Sequence, residues 1–323
     1  MLSLLATGGT IACTPGPDGL EPTLRAADLL ACLGSALPCR VRPQDVFLLD
    51  SSNVQPEEWC ALARAVREAL DASDGVVITH GTDTMAYTAA ALSFLLAGVQ
   101  KPVILTGSQL PPGHPLSDAR LNLLRAIAAA QAGVAGVYVC FGDRLISGVR
   151  CVKTHTTAMD AFSSVNAPLA GRFDVEGVRF DHPQPFTPPP GADLGSLRLA
   201  VDPRVFLLKL VPGTSPDVLD FVGRAGYRGL VIEAFGLGGL HYIRRNLVKA
   251  LSSLARSGVR VLAVSQCLYE KADLGLYEVA SGLAGIRPGR DMTTEAAVCK
   301  LMWALGQDDP DLWLEHRIVG EYR

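Results

Sequence analysis

The chain has 323 residues, 49% hydrophobic and 19% charged, enough to build sizeable buried cores and the wrong balance for disorder over its bulk. Twenty-nine Lys and Arg against 32 Asp and Glu leave a formal charge of −3, so electrostatics does not draw this chain to nucleic acid or to an acidic membrane surface. The opening MLSLLATGGTIA lacks a basic segment and its apolar run ends at Ala6, and the longest apolar stretch, 89–99, is too short to span a bilayer, so a cytoplasmic protein without signal peptide or membrane anchor is expected. The eight cysteines contain no C-x-x-C pair and read as reduced, buried thiols. The six histidines contain no H-E-x-x-H or other close ligand pair, so no metal and no other cofactor is expected.

Apolar, β-branched runs alternate with helix-length segments along the chain. A short strand over 2–6 ends at Gly8 and Gly9. Residues 25–33 read as a helix with Thr23 as N-cap. A strand over 46–49 runs into Asp50-Ser51-Ser52. The helix at 56–70 has Pro56 at its start, Glu57 and Glu58 in its first turn, and Trp59, Leu62, Ala63, Val66 and Leu70 on one face. A strand over 76–79 leads into His80-Gly81-Thr82-Asp83 and a helix over 84–96; strands at 103–106 and 134–141 enclose a helix at 118–132. Such alternation predicts βαβ units and a mostly parallel sheet covered on both faces. The segment 182–195 (HPQPFTPPPGADLG), with five prolines between Pro183 and Pro190, interrupts the pattern and reads as an interdomain connection. Strands at 205–210, 230–234 and 259–264 and helices at 217–225, 244–257 and 293–305 follow. The expected organisation is two α/β domains. The larger N-terminal one, 1–181, is a mostly parallel sheet flanked by helices; a Pro-rich linker, 182–202, leads to a smaller Rossmann-like domain, 203–323.

Four segments carry polar residues suited to chemistry. Thr7-Gly8-Gly9-Thr10-Ile11-Ala12 follows the first strand, where open α/β sheets bind ligands. Its glycines let the backbone approach a ligand closely and leave the Thr10 hydroxyl facing the crevice, although a Gly-Gly turn is also an ordinary turn. It is neither a P-loop nor a G-x-G-x-x-G dinucleotide motif. Thr79-His80-Gly81-Thr82-Asp83-Thr84-Met85 precedes a helix whose unpaired N–H groups favour an anion or a developing oxyanion; Thr82 and Asp83 serve equally well as N-cap residues. Lys153 is either a solvated edge charge or, if it reaches Thr82, a base or electrostatic activator for an alcohol that is a poor nucleophile at neutral pH. Ser51 in Asp50-Ser51-Ser52-Asn53 can bond a substrate carboxylate or cap the helix near Pro56.

Together these motifs resemble the bacterial-type L-asparaginase family over nearly the whole chain. The matching segments are TGGTIA at 7–12, DSSNVQPEEW at 50–59, THGTDTM at 79–85, TGSQ at 106–109, SDARLNL at 117–123 and CVKTHTTAMDAFSS at 151–164, with SQC at 265–267 and DMTTEAA at 291–297 in the second domain. DSS and TGSQ look more like the cytoplasmic type I branch than the periplasmic type II branch. The resemblance implies an L-asparagine amidohydrolase that yields L-aspartate and ammonia by double displacement through a threonyl acyl-enzyme. It implies Thr10 as primary nucleophile and Thr82, Asp83 and Lys153 as the second catalytic group, with Lys153 activating Thr82. Asp83 would bind the substrate's α-ammonium and Ser51 its α-carboxylate, with Ser52 beside it and Gly9 and Gly81 lining the site. Which threonine attacks in which step stays open. The resemblance also implies a homodimer or homotetramer with sites at the subunit interface, where GLGGLH at 236–241 would bring His241 to a partner's site; a lone loop histidine also reads as merely solvated.

One departure stands out. The family often has a tyrosine in the loop after TGGTIA, and Leu20 occupies that place here, where it cannot relay a proton. Tyr277 is the expected replacement, from the second domain of its own or a neighbouring subunit; it also reads as a partly buried core tyrosine. Pro15, Gly16, Pro17 and Gly19 give the loop the composition of a lid, expected to order on ligand binding. Other readings are a glutaminase, the ammonia-generating subunit of a tRNA-dependent amidotransferase, for which an extra N-terminal domain is expected, and an asparagine-binding protein without turnover. Asparagine and glutamine differ by one methylene, and the sequence does not choose between them.

Overall fold

The computed structural model describes residues 1–17, 19–274 and 285–323 and divides into two compact units, Met1–Phe186 and Thr187–Arg323. The division falls inside the proline-rich segment, so part of the stretch read as a separate linker over 182–202 belongs to each unit.

In the first unit β1 (Leu2–Gly8) is followed by a hairpin of β2 (Cys13–Gly16) and β3 (Gly19–Pro22), then α1 (Ala26–Ala31), β4 (Val41–Leu49), α2 (Pro56–Ala72), β5 (Val76–Thr79), α3 (Met85–Leu95), β6 (Pro102–Thr106), α4 (Ala119–Gln131) and β7 (Gly136–Phe141). Five short strands come next: β8 (Arg144–Ser147), β9 (Cys151–Lys153), β10 (Phe162–Ser164), β11 (Gly171–Asp174) and β12 (Gly177–Phe180). The main sheet has the order β12-β11-β8-β7-β6-β5-β1-β4. Strands β4, β1, β5, β6 and β7 are parallel, and β8, β11 and β12 extend the sheet antiparallel. The sheet is therefore mixed. Parallel pairing needs a long crossover, which the helices supply; only Gly142 and Asp143 separate β7 from β8, so that pair must be a hairpin.

The strands β5 and β6 are wholly buried, as apolar strands covered on both faces must be. Helix α3 is apolar all round and sits inside the core, whereas α2 buries Trp59, Leu62, Ala63 and Val66 on one side. Pro56 opens α2, and the Glu58 carboxylate accepts the Gln55 N–H at 2.9 Å. Thr23 does not cap α1: Ala26 N–H donates to Asp45 at 2.8 Å, and the Thr23 hydroxyl pairs with that of Thr14 at 2.7 Å. A core of Leu4, Ile11, Leu29, Val77, Ile104, Leu123, Ile127 and Tyr138 joins α1 and α4 to the sheet. Among the parallel strands, the chain passes from β1 outward to β4 and then back across β1 to β5. This reversal opens a crevice beyond the carboxyl ends of β1 and β5.

The second unit carries a parallel sheet in the order β13 (Val205–Lys209), β14 (Gly229–Ala234), β15 (Arg260–Ser265) and β16 (Ile286–Pro288). Its helices are α5 (Asp217–Arg224), α6 (Leu247–Arg256), α7 (Thr294–Leu305) and α8 (Pro310–Glu315). Helix α6 starts later than the apolar pattern suggests because the Asn246 side chain caps it, accepting from Lys249 N–H at 3.1 Å. Lys300 and Glu321 form a wholly buried ion pair at 2.6 Å, and the Glu321 carboxylate also accepts the Ile318 and Val319 N–H groups. No helix among the described residues is long and apolar enough to cross a membrane.

Candidate active site

Three neighbouring parallel strands converge on one place. Gly8 pairs with Leu49 and Ala6 with Thr79, so β4, β1 and β5 end side by side. The Thr7 hydroxyl donates to Thr79 O at 2.7 Å, and Gly9 N–H to Leu49 O at 2.9 Å. Strand β1 leads into Thr10, β4 into Ser51 and β5 into Thr82.

The two glycines ahead of Thr10 are demanded by the backbone. Gly9 has a φ of 77°, and a Cβ there would lie 2.2 Å from Gly81 N. Thr10 then opens a single 3-10 turn, Thr10–Ala12, which sends Ile11 and Ala12 into the core and leaves Thr10 half-buried. Gly81 is crowded from the other side: a Cβ on it would lie 2.5 Å from Ser51 Oγ and 3.2 Å from Gly9 Cα. The backbones immediately ahead of Thr10 and of Thr82 are thus in contact, and the buried Ser51 hydroxyl rests against the second of them.

Lys153 ends β9 and reaches across to the same place. Its Nζ donates to Thr82 Oγ1 at 2.8 Å and to Asp83 Oδ1 at 2.6 Å. The Lys153 side chain is 18% exposed and that of Asp83 65%, so the lysine is not a solvated edge charge, while the carboxylate opens to solvent. Helix α3 begins at Met85 with Thr84 at the N-cap position, and Thr84 donates its hydroxyl to Ser51 O at 2.7 Å. Neither Thr82 nor Asp83 caps it. Ser51 does not cap α2 either; it opens the 3-10 turn Ser51–Asn53, which Asp50 caps. Ser52 commits both its N–H and its hydroxyl to Asp50, which holds that carboxyl below the usual carboxylate range. Ser51 and Ser52 therefore differ: the first is buried beside Gly81, the second is exposed and bonded to Asp50.

Some supporting contacts leave no local trace in the sequence. Gln109 Nε2 donates to Thr156 O at 3.1 Å and Ala158 O at 2.9 Å, tying down the loop that leaves Lys153. The Asp118 carboxylate holds Gln109 in turn through its N–H and also accepts from Asn122 Nδ2. Gln109 and Asp118 both lie in motifs read from the sequence, but nothing in their spacing pairs them with 156–158. His80 is wholly buried, with Nδ1 2.8 Å from Gly81 O and Nε2 3.0 Å from Thr88 Oγ1, and Trp59 Nε1 donates to that hydroxyl at 3.1 Å. Burial pushes the His80 imidazole down to about 4.

Leu20 sits on β3 opposite Pro15, more than half exposed, and brings no polar group. Tyr277 lies outside the described residues. In the second unit His241 is not simply solvated: its Nε2 is shielded, without a hydrogen-bond partner among the described residues, and its ring lies 5.5 Å from that of Phe235.

Known proteins match the chain along the same division. The asparaginase N-terminal family model matches residues 1–186, and the glutaminase/asparaginase C-terminal domain model matches 204–312. An L-asparaginase of Thermococcus kodakarensis is 41% identical over 99% of this chain and 98% of its own length. A glutamyl-tRNA(Gln) amidotransferase subunit of Methanopyrus kandleri is 37% identical over 95% of this chain and 71% of its own length. The solved structure of the thermostable L-asparaginase from Thermococcus kodakarensis matches with a TM-score of 0.89 at 40% identity, covering 100% of this chain and 99% of that one. With both family models matched in order and an L-asparaginase similar from end to end, this chain belongs to the asparaginase family.

Proposed function

We propose that this chain is an L-asparagine amidohydrolase working through a threonyl acyl-enzyme. The observation that carries the reading is the Lys153–Thr82–Asp83 cluster, on backbone that touches the backbone bearing Thr10. In this scheme Thr10 Oγ1 attacks the side-chain amide carbon of asparagine. The tetrahedral intermediate collapses, the C–N bond breaks, and the nitrogen leaves as ammonia with the threonine's proton. The resulting ester is then cleaved by water, releasing L-aspartate and restoring the hydroxyl. Lys153 places positive charge beside Thr82 Oγ1 and so lowers the cost of negative charge on that oxygen. One Asp83 oxygen holds Lys153; the other is available for the substrate's α-ammonium, and Ser51 for its α-carboxylate. A cytoplasmic location fits the free thiols of Cys13, Cys32, Cys39, Cys140 and Cys267. The homodimer or homotetramer, with sites at the subunit interface, is proposed from family likeness and is read by light scattering.

The likeness to a glutamyl-tRNA(Gln) amidotransferase subunit favours a second reading, ammonia supply to a tRNA-dependent reaction. Ammonia release from asparagine and from glutamine, with and without glutamyl-tRNA, separates the two. Asparagine turnover independent of tRNA is expected; preference for glutamine or dependence on tRNA overturns the lead. Thr10→Ala and Thr82→Ala should each lose at least about a thousandfold in kcat. A fully active Thr82→Ala removes the two-threonine scheme, and asparagine binding without ammonia release makes the chain a binding protein.

A further inference from the structure

The amidohydrolase scheme gives His80 no part, although it is wholly buried and stands two residues before Thr82. Its surroundings fix the polarity of its hydrogen bonds. A carbonyl oxygen only accepts, so Nδ1, 2.8 Å from Gly81 O, carries the ring hydrogen. The low pKa, about 4, keeps the ring neutral at pH 7, so Nε2 only accepts. The Thr88 hydroxyl must then donate to Nε2 at 3.0 Å, which leaves its lone pairs for the Trp59 indole N–H at 3.1 Å. The hydrogen bonds run one way, from Trp59 through Thr88 and His80 to the Gly81 carbonyl, and every member of the series is satisfied.

The last of these bonds bears on Thr82. Position 81 must be glycine, because a Cβ would lie 2.5 Å from Ser51 Oγ and 2.6 Å from Ser51 Cβ. Glycine brings more backbone freedom than any other residue. Rotation about ψ of Gly81 sets the direction in which Thr82 leaves the strand end, and a bond to the Gly81 carbonyl is what restrains that rotation. The His80 ring is itself locked, since α2 and α3 hold its far nitrogen through Trp59 and Thr88.

We propose that His80 is a positioning residue: as the neutral Nδ1–H tautomer it clamps the Gly81–Thr82 peptide and keeps Thr82 Oγ1 within hydrogen-bond reach of Lys153. This rests on the amidohydrolase reading. His80 carries no proton in the reaction, because both of its nitrogens are engaged and the ring is shut off from solvent.

The test compares wild type, His80→Asn, His80→Gln and Thr88→Val on asparagine. An Asn amide nitrogen sits near the Nδ1 position and can still donate to Gly81 O; Gln reaches the Nε2 position and leaves the carbonyl untied. His80→Gln should lose about tenfold in kcat with KM within about twofold, His80→Asn should recover most of that loss, and Thr88→Val, which keeps the ring, should lose about threefold. Nitrogen-15 NMR should find Nδ1 protonated and Nε2 bare, unchanged from about pH 8 to pH 6. His80→Gln at the wild-type rate, His80→Asn no better than His80→Gln at equal Tm, or a protonated Nε2 each overturns the role. Wild-type protein inactive on asparagine overturns the amidohydrolase reading together with the role, whereas an active wild type with an unaffected His80→Gln overturns the role alone.

Discussion

Lys153 Nζ stands 2.8 Å from Thr82 Oγ1 and 2.6 Å from Asp83 Oδ1, so one ammonium bridges a hydroxyl and a carboxylate that are neighbours in the chain and 71 and 70 residues before it. Lys153→Met keeps the apolar stem and removes the charge. It should lower kcat at least about a hundredfold, the order expected for removing a group aimed at developing charge. Stability should change by less than about 1 kcal/mol, because the partner Asp83 is mostly exposed and the pair is screened. Lys153→Arg should not restore the rate, since a planar guanidinium does not fit two acceptors set for a compact ammonium. Steady-state kinetics and a melting curve check both; a fully active Lys153→Met removes the lysine from the mechanism.

The contact between Gly81 and Ser51 predicts a rescue. Gly81→Ala drives a Cβ to within 2.5 Å of Ser51 Oγ, so it should lose activity and stability together. Adding Ser51→Gly removes the two nearest atoms and leaves only Gly9 Cα at 3.2 Å, so it should recover part of the stability but not the activity, because the hydroxyl is gone. Gly9→Ala has no such remedy: its Cβ meets the Gly81 backbone, and its φ of 77° is one that L side chains resist. A cost of at least about 2 kcal/mol is expected for Gly9→Ala. Denaturant midpoints of the two single variants and the double variant decide the matter.

Stability should fall with acid in two separate steps. His80 ionises near 4 in the folded chain, against an ordinary 6.5. Between those values the unfolded chain binds a proton that the folded one refuses, so stability is full above about pH 6.5 and declines toward pH 4, by about 3 kcal/mol in all. Asp202, gripped first by Arg204 and also by Arg228, is held down to about 2 from 3.8. Its contribution is present above about pH 4 and is lost as the pH falls toward 2. His80→Gln should flatten the upper step and Asp202→Asn the lower one in denaturation series run across pH. An upper step untouched by His80→Gln would mean that the ring is not held neutral.

The Lys300–Glu321 pair is 1% and 0% exposed. Removing one partner strands a buried charge, so Lys300→Met should cost about 3–5 kcal/mol. Lys300→Met combined with Glu321→Gln should cost clearly less, since no unpaired charge remains and the amide oxygen can still accept from Ile318 or Val319. A double variant no more stable than Lys300→Met alone would show that the cost lies in lost packing and not in charge.

The parallel half of the first sheet was legible because burial on both faces writes itself into the chain. Runs such as 76–79 and 103–106 are short, β-branched and uncharged, as strands buried on both faces are. Their carboxyl ends point to the segments around Thr10, Ser51 and Thr82 from local pattern alone. Strand β4 extends back to Val41 through Arg42, Gln44 and Asp45; as an edge strand it needs no continuous apolar run, and only its last part stands out in the sequence. The short strands β8 to β12 hold three or four residues each, too few for an alternation to register; β8, β11 and β12 extend the main sheet antiparallel, and β9 and β10 pair as a separate two-stranded sheet. Tyr277 lies outside the described residues.

The chain's own order of residues determined that this is an α/β protein of asparaginase type, with hydroxyls and a carboxylate at strand ends, because secondary structure and burial are encoded within a few residues of each position. Whether Asp83 caps a helix or meets Lys153, and whether His80 is idle or clamps the peptide ahead of Thr82, was decided by tertiary structure alone. Those contacts cross from one element to another, and their distances follow from strand order, from the pairing of β9 with β10 and from the seating of α2 against α3. Local chemistry can offer a side chain for such a role; only the packing of distant elements brings its partner within about 3 Å.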